Sequence, residues 1–326
     1  MKICVFGAGA VGGHIAARLH RGGARTSVIA RGAHLEAMRR DGLIVRAPDG
    51  EIHAPVAAHD DPRALGEQDA VIVTVKAPAL PAMAGMIAPL LGPDTAVVFA
   101  MNGIPWWYFH AHGGALDGHR LPSIDPGDAV WNTVGPARVI GGVVYSGCTV
   151  VAPGIVEVGG ASSRLEFGEP DGSVSPRMEV IAQCLRAGGL PIDITQRIRD
   201  RIWTKLLLNM ATGPLCVVSQ STMSELTTEP ACLAAMQRVI VEATKIANAL
   251  GCTVPDDGAK ALDRSRNSKH RPSILQDLEA GRPMEITALY EVPLDLARLH
   301  DVATPTLDLV VALARQRARR QGSMPA

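Results

Sequence analysis

Short apolar runs separated by glycine and polar turns fill the first two-thirds of this chain, whereas in the last third apolar residues recur every three or four positions. The run Lys2–Phe6 is too brief for a helix and reads as a strand. After a Gly-rich turn, Val11, Ile15 and Leu19 repeat at helical spacing, which predicts a helix over 11–20, ended by Gly22 and Gly23. Residues 26–30, rich in β-branched side chains, form a second strand. The opening of the chain is thus one strand–helix–strand unit of a parallel sheet. Strands are also predicted at 43–46 and 52–56, around the turn Pro48-Asp49-Gly50. The continuous apolar runs 70–75 and 95–100 suit strands buried on both faces, with a helix over 81–91 between them. Segment 103–137 is irregular, and short strands resume at 139–151, 155–158, 164–167 and 192–195.

Beyond Gln196 strand signals nearly vanish. Helices are expected over 196–210, 229–250, 273–281, 284–300 and 304–319. The pattern predicts an α/β domain over 1–196 and an all-helical domain over 197–326. No internal repeat or low-complexity tract appears.

Composition narrows the function classes. The chain has 326 residues, 47% hydrophobic and 20% charged, a profile of folded rather than disordered protein. Lys plus Arg and Asp plus Glu both number 32, so no polyanion-binding surface is signalled and nucleic acid is not an expected partner. Cys4, Cys148, Cys184, Cys216, Cys232 and Cys252 lie far apart, without a Cys-x-x-Cys pair. They read as small hydrophobes in a reducing compartment, not as a disulfide frame, and no metal site is expected. The apolar N-terminus resembles a leader, but Gly7, Gly9, Gly12 and Gly13 interrupt it and charge returns at Arg18 and Arg21. No uninterrupted apolar run reaches the roughly 18 residues that span a bilayer, so a cytoplasmic protein with no membrane partner is expected. A homodimer is compatible with the sequence.

Gly7-Ala8-Gly9-Ala10-Val11-Gly12 is a G-x-G-x-x-G directly after a strand and opening a helix. In that context Gly7 allows the tight turn, Gly9 lets backbone approach a pyrophosphate, and Gly12 lets helix pack on strand. The free N–H groups at the helix start face the anion. The first domain is therefore expected to be a Rossmann-like dinucleotide-binding domain. An NAD enzyme commonly carries Asp or Glu about twenty residues on, at the end of the second strand. Arg31 stands there instead. A guanidinium can hold a ribose 2′-phosphate through two parallel hydrogen bonds, whereas a carboxylate repels it. Lys76, at the end of the next buried strand, is a second candidate cation. NADPH is the expected cofactor, although Arg31 also fits a solvated loop.

Lys205 and Asn209 lie four apart on one face of the helix that starts near Gln196, among Ile202, Trp203, Leu206, Leu207 and Leu208. Such a lysine either snorkels to water or is held in a cleft. At this point several segments together resemble the ketopantoate reductase (2-dehydropantoate 2-reductase) family. They are the Gly7 to Gly12 loop, Arg31, Val75-Lys76, Met101-Asn102-Gly103, Trp203-Thr204-Lys205 with Asn209, Ser273 to Leu278, and Glu285-Ile286. They cover nearly the whole chain in the family's order. The resemblance implies NADPH-dependent reduction of a 2-oxo acid, with Lys205 as the general acid. It places Glu285 in orienting substrate and cofactor and Asn102 at the nicotinamide ribose and substrate. It gives Asn209 and Ser273 hydrogen bonds to the substrate. Capping or turn-making is the alternative role for Asn102, Asn209 and Ser273.

The sequence also departs from the family pattern. Gly213 stands four residues after Asn209, where a second substrate-binding Asn is common, and Thr222-Met223-Ser224 replaces a usual Asn-Gly pair. Thr287 stands where Asp is frequent. Segment 104–109 holds Trp106 and Trp107 in a chain with only 3% aromatics, and reads either as the wall of an enlarged apolar pocket or as a surface loop. These departures predict weak selectivity for ketopantoate itself and open two further readings. One is a reductase of a bulkier 2-oxo acid. The other is a non-enzymatic NADPH sensor, which has no need of a proton donor.

Overall fold

The computed structural model describes residues 1–255, 262 and 271–323. They fold as two compact units, Met1–Met101 with Pro105–Ile198, and Asn102–Ile104 with 199–323.

In the first unit β1 (Lys2–Phe6), α1 (Ala10–Arg21) and β2 (Arg25–Ile29) make the opening parallel unit, followed by α2 (Gly32–Asp41). The hairpin β3 (Leu43–Ala47) and β4 (Gly50–Ala54) precedes β5 (Ala57–His59) and β6 (Gln68–Val73). Next come α3 (Leu80–Ile87), β7 (Leu91–Ala100) and α4 (Ala129–Val134). A long antiparallel hairpin, β8 (Val139–Ala152) and β9 (Ile155–Gly168), leads to α5 (Pro176–Ala187) and β10 (Ile192–Ile194). The sheet order is β4-β3-β9-β8-β7-β6-β1-β2-β5, with β10 on β9. Strands β5, β2, β1, β6, β7 and β8 are all parallel. From β1 the chain steps to β2 on one side and later to β6 on the other. The carboxyl end of β1 is therefore the switch point at which open α/β sheets bind ligands.

Val5, Val28, Ile72 and Val98 on the strands and Ile15, Ala16 and Leu19 on α1 are all buried in one core. At the far end of α1, the nearly buried Arg18 guanidinium donates to both oxygens of Asp49 in the β3–β4 turn, at 2.7 and 2.6 Å. This bidentate pair fixes the helix to the hairpin.

The expected runs 155–158 and 164–167 fuse into the single strand β9, because hairpin pairing with β8 carries the chain across the glycines between them. The pattern leaves α2 unassigned. That helix buries only Leu35, Ala37 and Met38, too few for a clear stripe. It also leaves α5 unassigned, although Met178, Ile181, Ala182 and Leu185 lie buried at helical spacing.

The second unit is helical: α6 (Ile198–Ser219), α7 (Met223–Thr228), α8 (Pro230–Ala249), α9 (Ser273–Glu279), α10 (Val292–Leu299) and α11 (Pro305–Arg320). A π-helical turn, Thr287–Glu291, runs directly into α10. Helix α8 packs against α7, α10 and α11. The buried Glu242 of α8 accepts the first-turn N–H groups of Thr306 and Leu307, at 3.0 and 2.8 Å, and so caps α11. Helix α6 runs past the expected end at 210 and through Pro214. Among the described residues it alone is long and apolar enough to cross a membrane, yet it is mostly buried within the protein, as a core helix is.

Candidate active site

The Gly-rich turn of the first unit is shaped for backbone approach. Gly7 has φ +102° and donates its N–H to the Ile29 carbonyl at 3.0 Å, so the loop is tied to the end of β2. A Cβ on Gly12 would lie 2.4 Å from the Gly7 carbonyl oxygen and 2.4 Å from Thr74 Oγ1. Only glycine lets α1 come this close to β1. Over Gly9, by contrast, a Cβ would meet nothing within 4 Å, and the residue is exposed. No side chain caps α1 at Gly9, and no acidic residue stands in its first turn. The first-turn N–H groups of Ala10, Val11 and Gly12 have no intrahelical partner, while Ala8 is buried beneath them with its N–H on Ile29. An uncapped helix start, open space and no negative charge fit a dinucleotide pyrophosphate.

Arg31 is exposed at the N-cap of α2, two residues beyond β2, with its guanidinium near Met86 Sδ on α3. Lys76 lies three residues beyond β6 and is half-buried. Both cations therefore follow the carboxyl ends of the strands that flank β1.

The helical unit gathers the remaining candidates. Helix α6 presents Lys205, Asn209 and Gly213 one turn apart along one face. Lys205 Nζ donates to Asn102 Oδ1 at 2.6 Å, and Asn102 Nδ2 donates to Glu285 Oε2 at 3.3 Å. One amide thus spans a cation and a buried carboxylate, and the two bonds fix which way the amide faces. Burial lowers the Lys205 pKa from its ordinary value to about 8, against the charge of Glu285, which raises it. The snorkelling alternative for Lys205 does not describe this geometry.

Backbone chemistry explains how Asn102 reaches that place. In the π turn, Val292 donates its N–H to the Thr287 carbonyl. The next donor in that register would be residue 293, and Pro293 has none. The Ala288 carbonyl is therefore left over and accepts the Ile104 N–H at 2.9 Å. Gly103 between them has φ +80°, and a Cβ there would lie 2.4 Å from the same carbonyl oxygen. Pro293, the π turn and Gly103 together anchor Asn102 against Lys205 and Glu285.

The other candidates stand apart from this chain of bonds. The Asn209 side chain has no hydrogen-bond partner among the described residues, and Ser273 is exposed at the start of α9. Gly213 does not leave a gap. A Cβ there would lie 2.1 Å from Tyr290 Oη, so a phenol already occupies the space. Thr222 caps α7 in a capping box with Glu225, and Met223 is buried with its sulfur 4.0 Å from Cys216 Sγ. That departure is explained by local packing.

The aromatic segment is neither a pocket wall nor a surface loop. Trp106 and Trp107 are each 1% exposed inside the α/β unit. Trp106 meets Phe99 and Trp131 edge-on, at 5.4 and 5.7 Å between centroids, and the Arg120 guanidinium lies 3.2 Å over the Trp131 ring. A Cβ on Gly141 of β8 would lie 2.7 Å from the Trp107 ring. The tryptophans are core. The sequence reading missed this because four aromatic residues in a row carry neither a strand nor a helix period, so no buried face stands out.

Comparison with known proteins places the chain in a family. Residues 3–172 match the model of the family described as ketopantoate reductase PanE/ApbA, and 197–318 match the model of its C-terminal domain. A 2-dehydropantoate 2-reductase of Mesorhizobium japonicum is 43% identical over 99% of both chains. A crystal structure from Ralstonia solanacearum, of a protein provisionally named a ketopantoate reductase, superposes with a TM-score of 0.92 at 40% identity over 99% of both chains. That of a 2-dehydropantoate 2-reductase from Geobacter metallireducens gives 0.85 at 26% identity, over 97% of this chain and 99% of that one. The chain belongs to the ketopantoate reductase family of NAD(P)-dependent oxidoreductases, with an N-terminal Rossmann-like domain and a helical C-terminal domain.

Proposed function

We propose that this protein reduces ketopantoate to pantoate with NADPH, a step of pantothenate biosynthesis. The Lys205–Asn102–Glu285 chain of hydrogen bonds carries the reading. Reduction adds a hydride to the carbonyl carbon and leaves negative charge on its oxygen, which must be neutralised as it forms. When bound, the reduced nicotinamide supplies the hydride. Lys205 supplies the proton. Its pKa near 8 keeps it mostly charged at neutral pH, yet acidic enough to give up a proton. Asn102 holds the ammonium through its carbonyl, and the Glu285 charge keeps the lysine protonated. The neutral amine then takes a proton from solvent, so each turnover consumes one NADPH, one proton and one 2-oxo acid. The open Gly9 turn and the start of α1 would hold the pyrophosphate, and Arg31 with Lys76 the 2′-phosphate. Asn209 and Ser273 would bind substrate. The burial of α6 supports a soluble enzyme, and the free cysteines suit the reducing cytoplasm.

The buried tryptophans and the filled space at Gly213 speak against the bulkier-substrate reading. Following NADPH consumption against a panel of 2-oxo acids tests this. Ketopantoate is expected to exceed phenylpyruvate in kcat/KM by about ten-fold or more. A higher value for the aromatic acid would overturn the assignment of substrate.

A further inference from the structure

Tyr290 is a residue that neither the resemblance nor the proton-donor chain uses. It is fully buried in the π turn, and its hydroxyl has no hydrogen-bond partner among the described residues. A buried hydroxyl without a partner destabilises the fold, and such groups persist where something else supplies the missing bond. Its position is specific. The oxygen lies where the first atom of a side chain at 213 would stand, at the end of the α6 row begun by Lys205 and Asn209, with Ile274 of α9 alongside. Burial, with Cys216 and Glu285 nearby, pushes the phenol's pKa far up, so it stays neutral and can both donate and accept. The family pattern commonly sets a substrate-binding asparagine at the position of Gly213.

Resting on the proposed reductase reading, we infer that Tyr290 determines substrate specificity: its hydroxyl takes the place of that asparagine and hydrogen-bonds the hydroxyl of a hydroxylated 2-oxo acid. The polar contact is kept, delivered from the π turn instead of from α6. Lys205 serves the carbonyl end of the substrate. Tyr290, two helical turns along, meets the end remote from the reaction. Glycine at 213 is then required by the tyrosine, since any larger side chain collides with Oη.

The test compares ketopantoate with trimethylpyruvate, the same skeleton bearing methyl in place of hydroxymethyl, in the wild type and in Tyr290→Phe. The preference for ketopantoate should fall about ten- to a hundred-fold in the variant, chiefly through KM, because one hydrogen bond to the substrate is lost. Without ligand, the variant should unfold at the same or a higher temperature, since an unpartnered hydroxyl has been removed. Pantoate with NADP⁺ should raise the wild-type unfolding temperature more than that of the variant. The double variant Gly213→Asn with Tyr290→Phe should regain part of the preference. An active wild type whose preference and pantoate-induced stabilisation are unchanged in Tyr290→Phe overturns this inference alone. A wild type that turns over no 2-oxo acid sinks the reductase reading and this inference with it.

Discussion

Replacing Lys205 by alanine is expected to lower turnover of ketopantoate by about a hundred-fold or more, while NADPH still binds, because the variant keeps every group assigned to the cofactor phosphates. The pH dependence carries the finer test. The Lys205 pKa is depressed to about 8, so the ammonium that donates the proton is present below that value and lost as pH rises through it. Reduction should therefore fall above about pH 8, whereas oxidation of pantoate, which needs the neutral amine, should rise over the same range. The Glu285 charge holds the lysine pKa up. Glu285→Gln should accordingly move the fall in reduction to lower pH, apart from any loss in substrate affinity. The measurement is kcat/KM against pH for wild type and both variants. A wild-type profile flat from neutral pH to well above 8, or normal turnover in Lys205→Ala, would assign the proton to another group.

The second large effect concerns the cofactor. Arg31→Ala should weaken NADPH binding by about ten- to a hundred-fold and leave NADH nearly unchanged, since one charge-assisted contact to the 2′-phosphate disappears. Titration calorimetry with both cofactors reads this directly. The exposed position of Arg31 predicts that the preference weakens as salt rises. Equal affinity of the wild type for NADPH and NADH would return Arg31 to the role of a solvated loop residue.

How much of this was legible in the sequence depends on the range of the interactions involved. The strand, the Gly7 to Gly12 turn and α1 are contiguous, so the glycine spacing shows in a short window even though Gly12 also clears Thr74, and the structure puts each at its expected place. Arg31 could be found because strand order alone puts the end of β2 beside the loop. Lys205 and Asn209 could be placed on one helix face, but not their surroundings. What holds Lys205 is Asn102, 103 residues away in sequence, and Asn102 is held by a carbonyl that only a π turn releases. No hydrophobic period encodes that turn, and the helix expected over 284–300 runs straight through Pro293. Gly213 misled for the same reason. A missing side chain is visible in sequence, whereas the tyrosine that fills its space arrives from a distant turn of the chain. The tryptophans were misread because clustering alone does not tell core from surface.

The π turn also constrains how this protein can change in length. A turn with one residue too many is an insertion that the helix has absorbed, and it can be lost as easily as gained. Deleting one residue within Thr287–Glu291 would let the backbone return to ordinary α-helical pitch. The helix would survive and its buried face would rotate by about 100° relative to the segment before it. The Ala288 carbonyl, still without a helical donor because Pro293 has no N–H, would be displaced with the turn, and Asn102 would lose its mooring. Ala288, Leu289 and Tyr290 are buried, so this stretch is held to the number of its residues as firmly as to their identity.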